Sequence, residues 1–374
     1  MLKTGKPKML YIMHVSWFWI KQRPHFIAEQ LIHYFNISVF SSESLIKNNQ
    51  LVSTEKPFFQ RSLISFPIQR FNNYKLYKKI SDYFLLVQLK KQVYNSDYIW
   101  FTSPLHYEIL EKYIKPLQIV IYDCMDDFLE FPSIKKSQKS STKYLLSEQK
   151  LLKRSNFVFA TSQFLKDILI KRSYTRKNIL VVNNAISNAF NKEKNIDYKK
   201  FISKEKEFID LVYIGTVSHW FNFDLLMESL IHFKEIRYVL IGPKEIEIPY
   251  HERIIYLGPV KHDDLPGYMN SSDALIMPFI VTDLIKSVNP VKLYEYISSG
   301  KPIITCHYNE INIFKKFVHG YNSNIEYFTL LSKLVKNELH QLNLEDCQNF
   351  LNLNTWDERV KEIFHFMNYN KDDY

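Results

Sequence analysis

Glycine is scarce in this 374-residue chain, with seven residues, six of them from Gly215 onward. A dinucleotide loop of the G-x-G-x-x-G kind needs three glycines to bring backbone against pyrophosphate, so the first half holds no such loop. Cysteine is equally sparse. Cys124, Cys306 and Cys347 lie far apart with no CxxC pair, which argues against a disulfide framework or a zinc cluster and fits a reducing cytoplasm. No run approaches the roughly 18 apolar residues of a spanning helix, and no apolar stretch precedes a cleavage site near the start. Neither membrane spanning nor export is expected.

What is present suffices for two folded domains. Hydrophobic residues make up 46% of the chain, enough for two α/β cores rather than a disordered chain. Charge is divided unevenly: residues 1–190 hold 28 Lys and Arg against 13 Asp and Glu, and the remainder 21 against 26, which accounts for the net +10. The basic surplus belongs to the first half. Such a face suits nucleic acid or an anionic membrane surface.

Short apolar runs predict strands at residues 9–15, 37–40, 63–66, 98–102, 119–122, 157–160 and 179–182, with helices at 24–35, 105–114 and 140–154. This alternation predicts a doubly wound α/β sheet, whose strand ends face ligands. His14 and Trp17 stand at the first such end. Residues 74–94 form a basic amphipathic helix, with Lys75, Lys78, Lys79, Lys90 and Lys91 beside Leu76, Ile80, Phe84, Leu85, Val87 and Leu89. A solvated lysine face on a core-packed helix explains it, and so does docking on an anionic membrane, which the nearby Phe58, Phe59, Arg61 and Arg70 favour. No base-stacking motif accompanies them, so nucleic acid is not expected as a partner.

A charged tract poor in core residues, 188–207, reads as a linker. Beyond it come strands at 211–214, 238–241, 254–257 and 274–277, with helices at 223–233, 263–270, 325–339 and 344–367. Gly215 and Thr216 follow the first of these strands, and a glycine there lets a ligand approach the backbone closely. The most informative stretch is SVNPVKLYEYISSGKPIIT, residues 287–305. Asn289 suits a helix cap and Pro290 the first helical position, Gly300 closes the helix, and 303–305 forms a strand. Lys292 in the first turn reinforces a phosphate site, while Glu295, one turn deeper on the same face, is placed to accept hydrogen bonds from vicinal hydroxyls. The spacing fits a solvated i,i+3 salt bridge equally well.

Asp123, Asp126 and Asp127 cluster in YDCMDDFLEF at the end of a predicted strand. Clustered carboxylates raise one another's pKa, and Asp126 or Asp127 is the candidate general base; a helix-capping role fits any one of them too. The spacing supplies no fixed ligand set, so no metal is expected.

PVKLYEYISSGKPII resembles the donor-binding segment of GT-B glycosyltransferases, especially the bacterial group similar to teichuronic-acid and xanthan glucuronosyl enzymes. QRPHFIAEQL, YDCMDDFLEF, YIGTVSHWFNFDLL, YVLIGP, IIYLGPV and SSDALIMPF agree in order along most of the chain. The resemblance implies a GT-B fold of two Rossmann-like domains facing an interdomain cleft: 1–187 for the acceptor, 208–350 for the nucleotide sugar, and 351–374 as a helix crossing back. It implies metal-independent glycosyl transfer from a nucleotide-diphosphate sugar, the co-substrate, with no further cofactor. The acceptor is a lipid-linked or growing glycan in capsule, exopolysaccharide or cell-wall synthesis, met by a cytoplasmic protein peripheral to the inner membrane face. Gly215, Thr216, His219, Gly242, Ser287, Asn289, Pro290, Val291, Lys292 and Glu295 fall on the donor side, and His14, Trp17 and Arg23 on the acceptor side.

Two departures matter. Retaining relatives carry a first glutamate eight positions before the second, where this chain has Ser287, and many carry an arginine and a lysine where it has Ser218, His219 and Trp220. Lys292 then becomes the main cation for the phosphates, and inversion with a protein base is favoured. A nucleotide-sugar 2-epimerase and a binding-only homologue share the pattern as alternatives.

Overall fold

The computed structural model describes residues 5–18, 21–43, 57, 59–64, 75–173, 179–187, 190 and 207–369. Two parallel sheets arise from the alternation of short apolar strands with amphipathic helices. The first is built from β1 (Lys8–Met13), α1 (Arg23–Leu31), β2 (Asn36–Glu43), β3 (Gln60–Ile64), α2 (Lys75–Asn95), β4 (Tyr98–Phe101) and α3 (Pro104–Leu110). It continues through β5 (Ile119–Cys124), α4 (Pro132–Lys135), α5 (Gln138–Arg154), β6 (Phe157–Ala160), α6 (Gln163–Ser173) and β7 (Ile179–Val181). The strand order is β3-β2-β1-β4-β5-β6-β7, all parallel. The strands read as continuous apolar runs because helices cover both faces of such a sheet.

The second sheet comprises β8 (Ile209–Ile214), α7 (Phe223–His232), β9 (Ile236–Ile241), β10 (Ile254–Gly258), α8 (Leu265–Ser271) and β11 (Ala274–Met277). There follow α9 (Asp283–Ser287), α10 (Val291–Ile297), β12 (Ile303–Cys306), β13 (His319–Tyr321), α11 (Asn324–Val335), α12 (Leu344–Asn352) and α13 (Trp356–Tyr369). Its order is β10-β9-β8-β11-β12-β13, again parallel.

By contact, residues 1–183 with 356–374 form one compact unit and 184–355 the other. The last helix therefore belongs to the first unit. Phe26 of α1 stacks on Trp356, with ring centroids 5.2 Å apart, and Tyr34 packs on Phe364 at 4.4 Å. Trp356, Val360, Ile363 and Met367 of α13 are all buried.

The single helix expected over 344–367 is two, because Thr355 pairs with Ile186 in a parallel bridge and the Ile186 amide donates to Asn354 O at 2.9 Å. That pairing needs extended backbone between α12 and α13. Most of the expected linker, and Phe58 and Arg70, lie outside the described residues. In each sheet the strand order reverses direction once, between β1 and β4 and between β8 and β11. An open parallel sheet binds ligands at the carboxyl ends of its strands at such a point.

Candidate functional site

In the first unit, His14 follows β1 and Thr102 follows β4, on either side of the reversal. The His14 amide donates to Thr102 Oγ1 at 3.0 Å, and its Nδ1 lies 2.7 Å from the same oxygen. The same hydroxyl reaches Ile12 O at 3.4 Å, so His14 and Thr102 tie the ends of β1 and β4 together. Burial, then the neighbouring His106, pushes the His14 pKa down to about 4, which keeps the ring neutral near pH 7. His106 is itself lowered to about 4 by burial.

Trp17 and Arg23 sit deeper. Trp17 packs on His25 and Phe59 with centroids at 5.1 and 5.6 Å, and its amide donates to Glu43. Arg23 is buried in an ion pair with Asp123 at 2.9 Å and donates to Val182 O at 2.7 Å. Its guanidinium holds the end of β5 against the chain leaving β7. These contacts give both residues work inside the unit. Breaking such a buried pair costs about 3–5 kcal/mol.

The adjacent aspartates after β5 differ. Asp127 is buried, both its oxygens accept from Arg172 Nη2 at 2.8 Å, and Oδ1 also caps the turn at the Leu129 amide. Arg172 in turn pairs with Glu148, which accepts from the Tyr122 hydroxyl at 2.9 Å. This closed network accounts for Asp127, so of the two expected bases only the other is open. Asp126 is half-buried, and among the described residues no hydrogen bond or ion pair reaches its carboxylate. Burial raises its pKa to about 6, assisted by Asp127 and opposed by Arg23. A carboxylate poised there is a competent general base near neutral pH.

In the second unit, β8 and β9 end in backbone packed on backbone. Gly242 has φ +134, and a Cβ there would meet Gly215 O at 2.2 Å. The Gly215 amide donates to Ile241 O at 2.8 Å, and Thr216 O accepts from the Tyr213 hydroxyl at 2.9 Å. In the loop that follows, Ser218 is buried and donates to Glu245 at 2.6 Å, while His219 is exposed with no partner among the described residues.

Around α10 the details differ from expectation. Pro290 occupies the cap position and no side chain caps the helix. Asn289 instead accepts from the Asn184 amide at 2.8 Å through Oδ1, and its carbonyl accepts from the Asn184 side chain at 2.6 Å. Its cap is replaced by a tether on the start of the unit. Ser287 is buried, and its hydroxyl donates to Leu284 O at 2.7 Å, closing the last turn of α9. Val291 opens the helix half-buried. Lys292 Nζ lies 2.6 Å from Glu295 Oε2, with His262 Nε2 at 3.9 Å from the other oxygen. The ammonium has three hydrogens, so pairing with Glu295 leaves two for an anion.

Sequence reading missed His106, Thr102 and Arg172. Thr102 and His106 flank the Ser103-Pro104 helix start, a signal that was present; Arg172 pairs across 45 residues, which no local pattern reports.

Residues 209–323 match the family model described as glycosyl transferases group 1. A putative teichuronic acid biosynthesis glycosyltransferase, TuaH of Bacillus subtilis (strain 168), is 24% identical over 217 residues, which are 55% of this chain and 54% of that protein. The chain thus spans about half the length of this curated relative. Sucrose-phosphate synthase from Thermosynechococcus elongatus is similar in structure, with a TM-score of 0.73, 10% identity, and coverage of 99% of this chain and 100% of that one. Anabaena HepE in complex with UDP-glucose gives 0.70, 10%, 97% and 100%. WaaG, a glycosyltransferase involved in lipopolysaccharide biosynthesis, gives 0.69, 12%, 95% and 98%. At these identities the likeness is one of fold, the GT-B architecture of two parallel α/β sheets.

Proposed function

We propose that this chain, whose residues 209–323 match the glycosyl transferases group 1 model, moves a sugar from a nucleoside-diphosphate donor to a hydroxyl of a glycan. The acceptor is lipid-linked or a growing polysaccharide, the setting suggested by the teichuronic-acid relative. A uridine diphosphate sugar is the first donor to test, since HepE is described with UDP-glucose. No helix among the described residues is long and apolar enough to cross a membrane, so a lipid-linked acceptor calls for a peripheral face, on the inner side where nucleotide sugars are made.

The observation that carries this reading is the unpartnered Asp126 carboxylate at a parallel strand end, its pKa raised to about 6. Asp126 takes the proton of the acceptor hydroxyl while that oxygen bonds to the anomeric carbon and the bond to the diphosphate breaks. The neutral His14 ring hydrogen-bonds the acceptor and holds it. On the donor side, Lys292 meets the charge of the departing diphosphate, Glu295 accepts from the ribose hydroxyls, and the Gly215–Thr216 backbone lies along the phosphates.

The test has two stages. UDP, GDP, ADP and TDP are screened for a rise in melting temperature, and the nucleotide that binds is then used as donor sugar with glycan acceptors for wild type and Asp126→Ala. A shift with one nucleotide and turnover lost in the variant are expected. Absence of any nucleotide shift sinks the reading, unchanged turnover in Asp126→Ala removes the base, and an epimerised sugar from donor alone makes the protein an epimerase.

A further inference from the structure

The loop after β8 and the chain after β11 meet at the carboxyl end of the second sheet, where its strand order reverses. Phe221 and Phe279 pair there in an antiparallel bridge, the Ile280 amide donates to Trp220 O at 2.7 Å, and the Asn222 amide to Pro278 O at 2.9 Å. That register sets Trp220 opposite Ile280. Phe221 and Phe279 pack on Tyr213, with ring centroids at 4.8 and 6.0 Å. Ile280 and Val281 are left 45% and 38% exposed, and Trp220 is half-buried. The two segments thus end in an apolar lip on a fixed backbone.

This lip adjoins the Gly215–Thr216 backbone. The Tyr213 hydroxyl donates to Thr216 O at 2.9 Å, and a Cβ on Gly215 would meet that hydroxyl at 2.6 Å. Burial holds the Tyr213 pKa above its ordinary value, and the Trp220 indole works against this through a hydrogen bond to the same hydroxyl. One oxygen therefore touches both Thr216 and Trp220. A diphosphate lying along Gly215 and Thr216 brings its sugar within reach of Trp220 and Ile280.

Polar side chains around the lip are committed elsewhere. Ser218 donates to Glu245 at 2.6 Å, Asn222 accepts from the Leu225 amide at 3.0 Å, Thr282 accepts from the Ile285 amide at 3.4 Å, and Ser287 closes α9 on Leu284 O. His219 is the exposed polar side chain next to Trp220. A sugar hydroxyl pressed on Ile280 and Val281 gives up water and meets only aliphatic carbon, whereas a methyl group gains by the same burial.

We infer that the lip selects a donor whose sugar is a 6-deoxyhexose, with its methyl seated on Ile280 and Val281 and its ring beside Trp220. C6 is the carbon of a hexopyranose where loss of oxygen leaves a methyl. His219 serves the remaining ring hydroxyls. An acetamido sugar fits less well, because its amide N–H and carbonyl would face the same aliphatic surface. This deepens the proposed donor and rests on it, naming the class of sugar carried.

The experiment compares UDP-glucose and UDP-galactose with their 6-deoxy counterparts, or the matching pairs on whichever nucleotide raises the melting temperature, by calorimetry and by kcat/KM on the full chain. A methyl against a hydroxymethyl in an apolar site is worth about tenfold to a hundredfold, and the deoxy donor should lead by that factor in both readouts. I280T/V281T puts hydroxyls on the lip and should remove most of the preference, with the unfolding midpoint and the binding of bare UDP as in wild type. Equal affinity within each pair, preference for the parent hexose or for UDP-N-acetylglucosamine, or a preference that survives the double variant overturns the proposal. When a bare nucleotide binds and the paired sugars are not told apart, the lip fails alone. When no nucleotide binds, the donor reading fails and the lip with it.

Discussion

Asp127 gives both oxygens to Arg172 while Asp126 has no partner among the described residues, and neutralising each in turn separates structure from chemistry. Asp127→Asn takes a charge from the half-buried Arg172 and leaves it Glu148 alone, which should cost up to about 3–5 kcal/mol in denaturant unfolding, with turnover kept in the folded fraction. Asp126→Asn should lower kcat by about 10²–10⁴ with nucleotide affinity unchanged. In wild type, activity should fall as pH drops through about 6, because the base works deprotonated. Stability follows the opposite direction. The folded Asp126 binds its proton up to about pH 6 and the unfolded chain only to about its ordinary value of 3.8, so wild type loses stability between those pH values as pH rises. Asn has no such loss, and Asp126→Asn should melt higher than wild type at pH 8 but not at pH 3.5.

At the scale of elements, the proposed donor site draws on α10 and the β8–β9 ends. If Lys292 meets the diphosphate as proposed, Lys292→Ala removes hydrogen bonds of about 1.5–3 kcal/mol each and should weaken UDP binding about tenfold to a hundredfold by calorimetry. Glu295→Gln keeps the shape and should raise donor KM with less effect on free pyrophosphate. Gly242→Ala places a methyl against the Gly215 carbonyl in a left-handed backbone, with no flexible side chain to yield. A loss of about 1–3 kcal/mol in unfolding and of the nucleotide shift is expected. The α10 helix itself was legible from Pro290 to Gly300, though one residue late at its start, because Asn289 is drawn to Asn184 across 105 positions. The strand β13 was not legible. His319-Gly320-Tyr321 has no apolar run, and its place in the sheet comes from pairing with β12.

The molecule as a whole folds with its first unit completed by the last residues of the chain. Arg359 of α13 donates to Asn183 O at 3.1 Å, and the ring of Phe366 packs on Phe157 and Phe159. Ending the chain after Thr355 uncovers α1 and removes four buried side chains. At about 2–5 kcal/mol each for a large apolar side chain, that loss is comparable to the whole stability of a domain. Hydrogen exchange should show the first unit unprotected and residues 184–355 still protected, with the nucleotide shift retained.

By itself the sequence determined the two parallel sheets, nearly every strand in them, the charge asymmetry and the cluster of carboxylates after β5, since each depends on residues close in the chain. Only the tertiary structure decided which aspartate is open, because Arg172 reaches Asp127 from another helix. It also turned Arg23 and Asn289 into internal clamps and left Tyr83 and Val87 of α2 in water. Those outcomes depend on which distant groups satisfy a buried charge or cover an apolar face, and spacing along the chain carries no record of that.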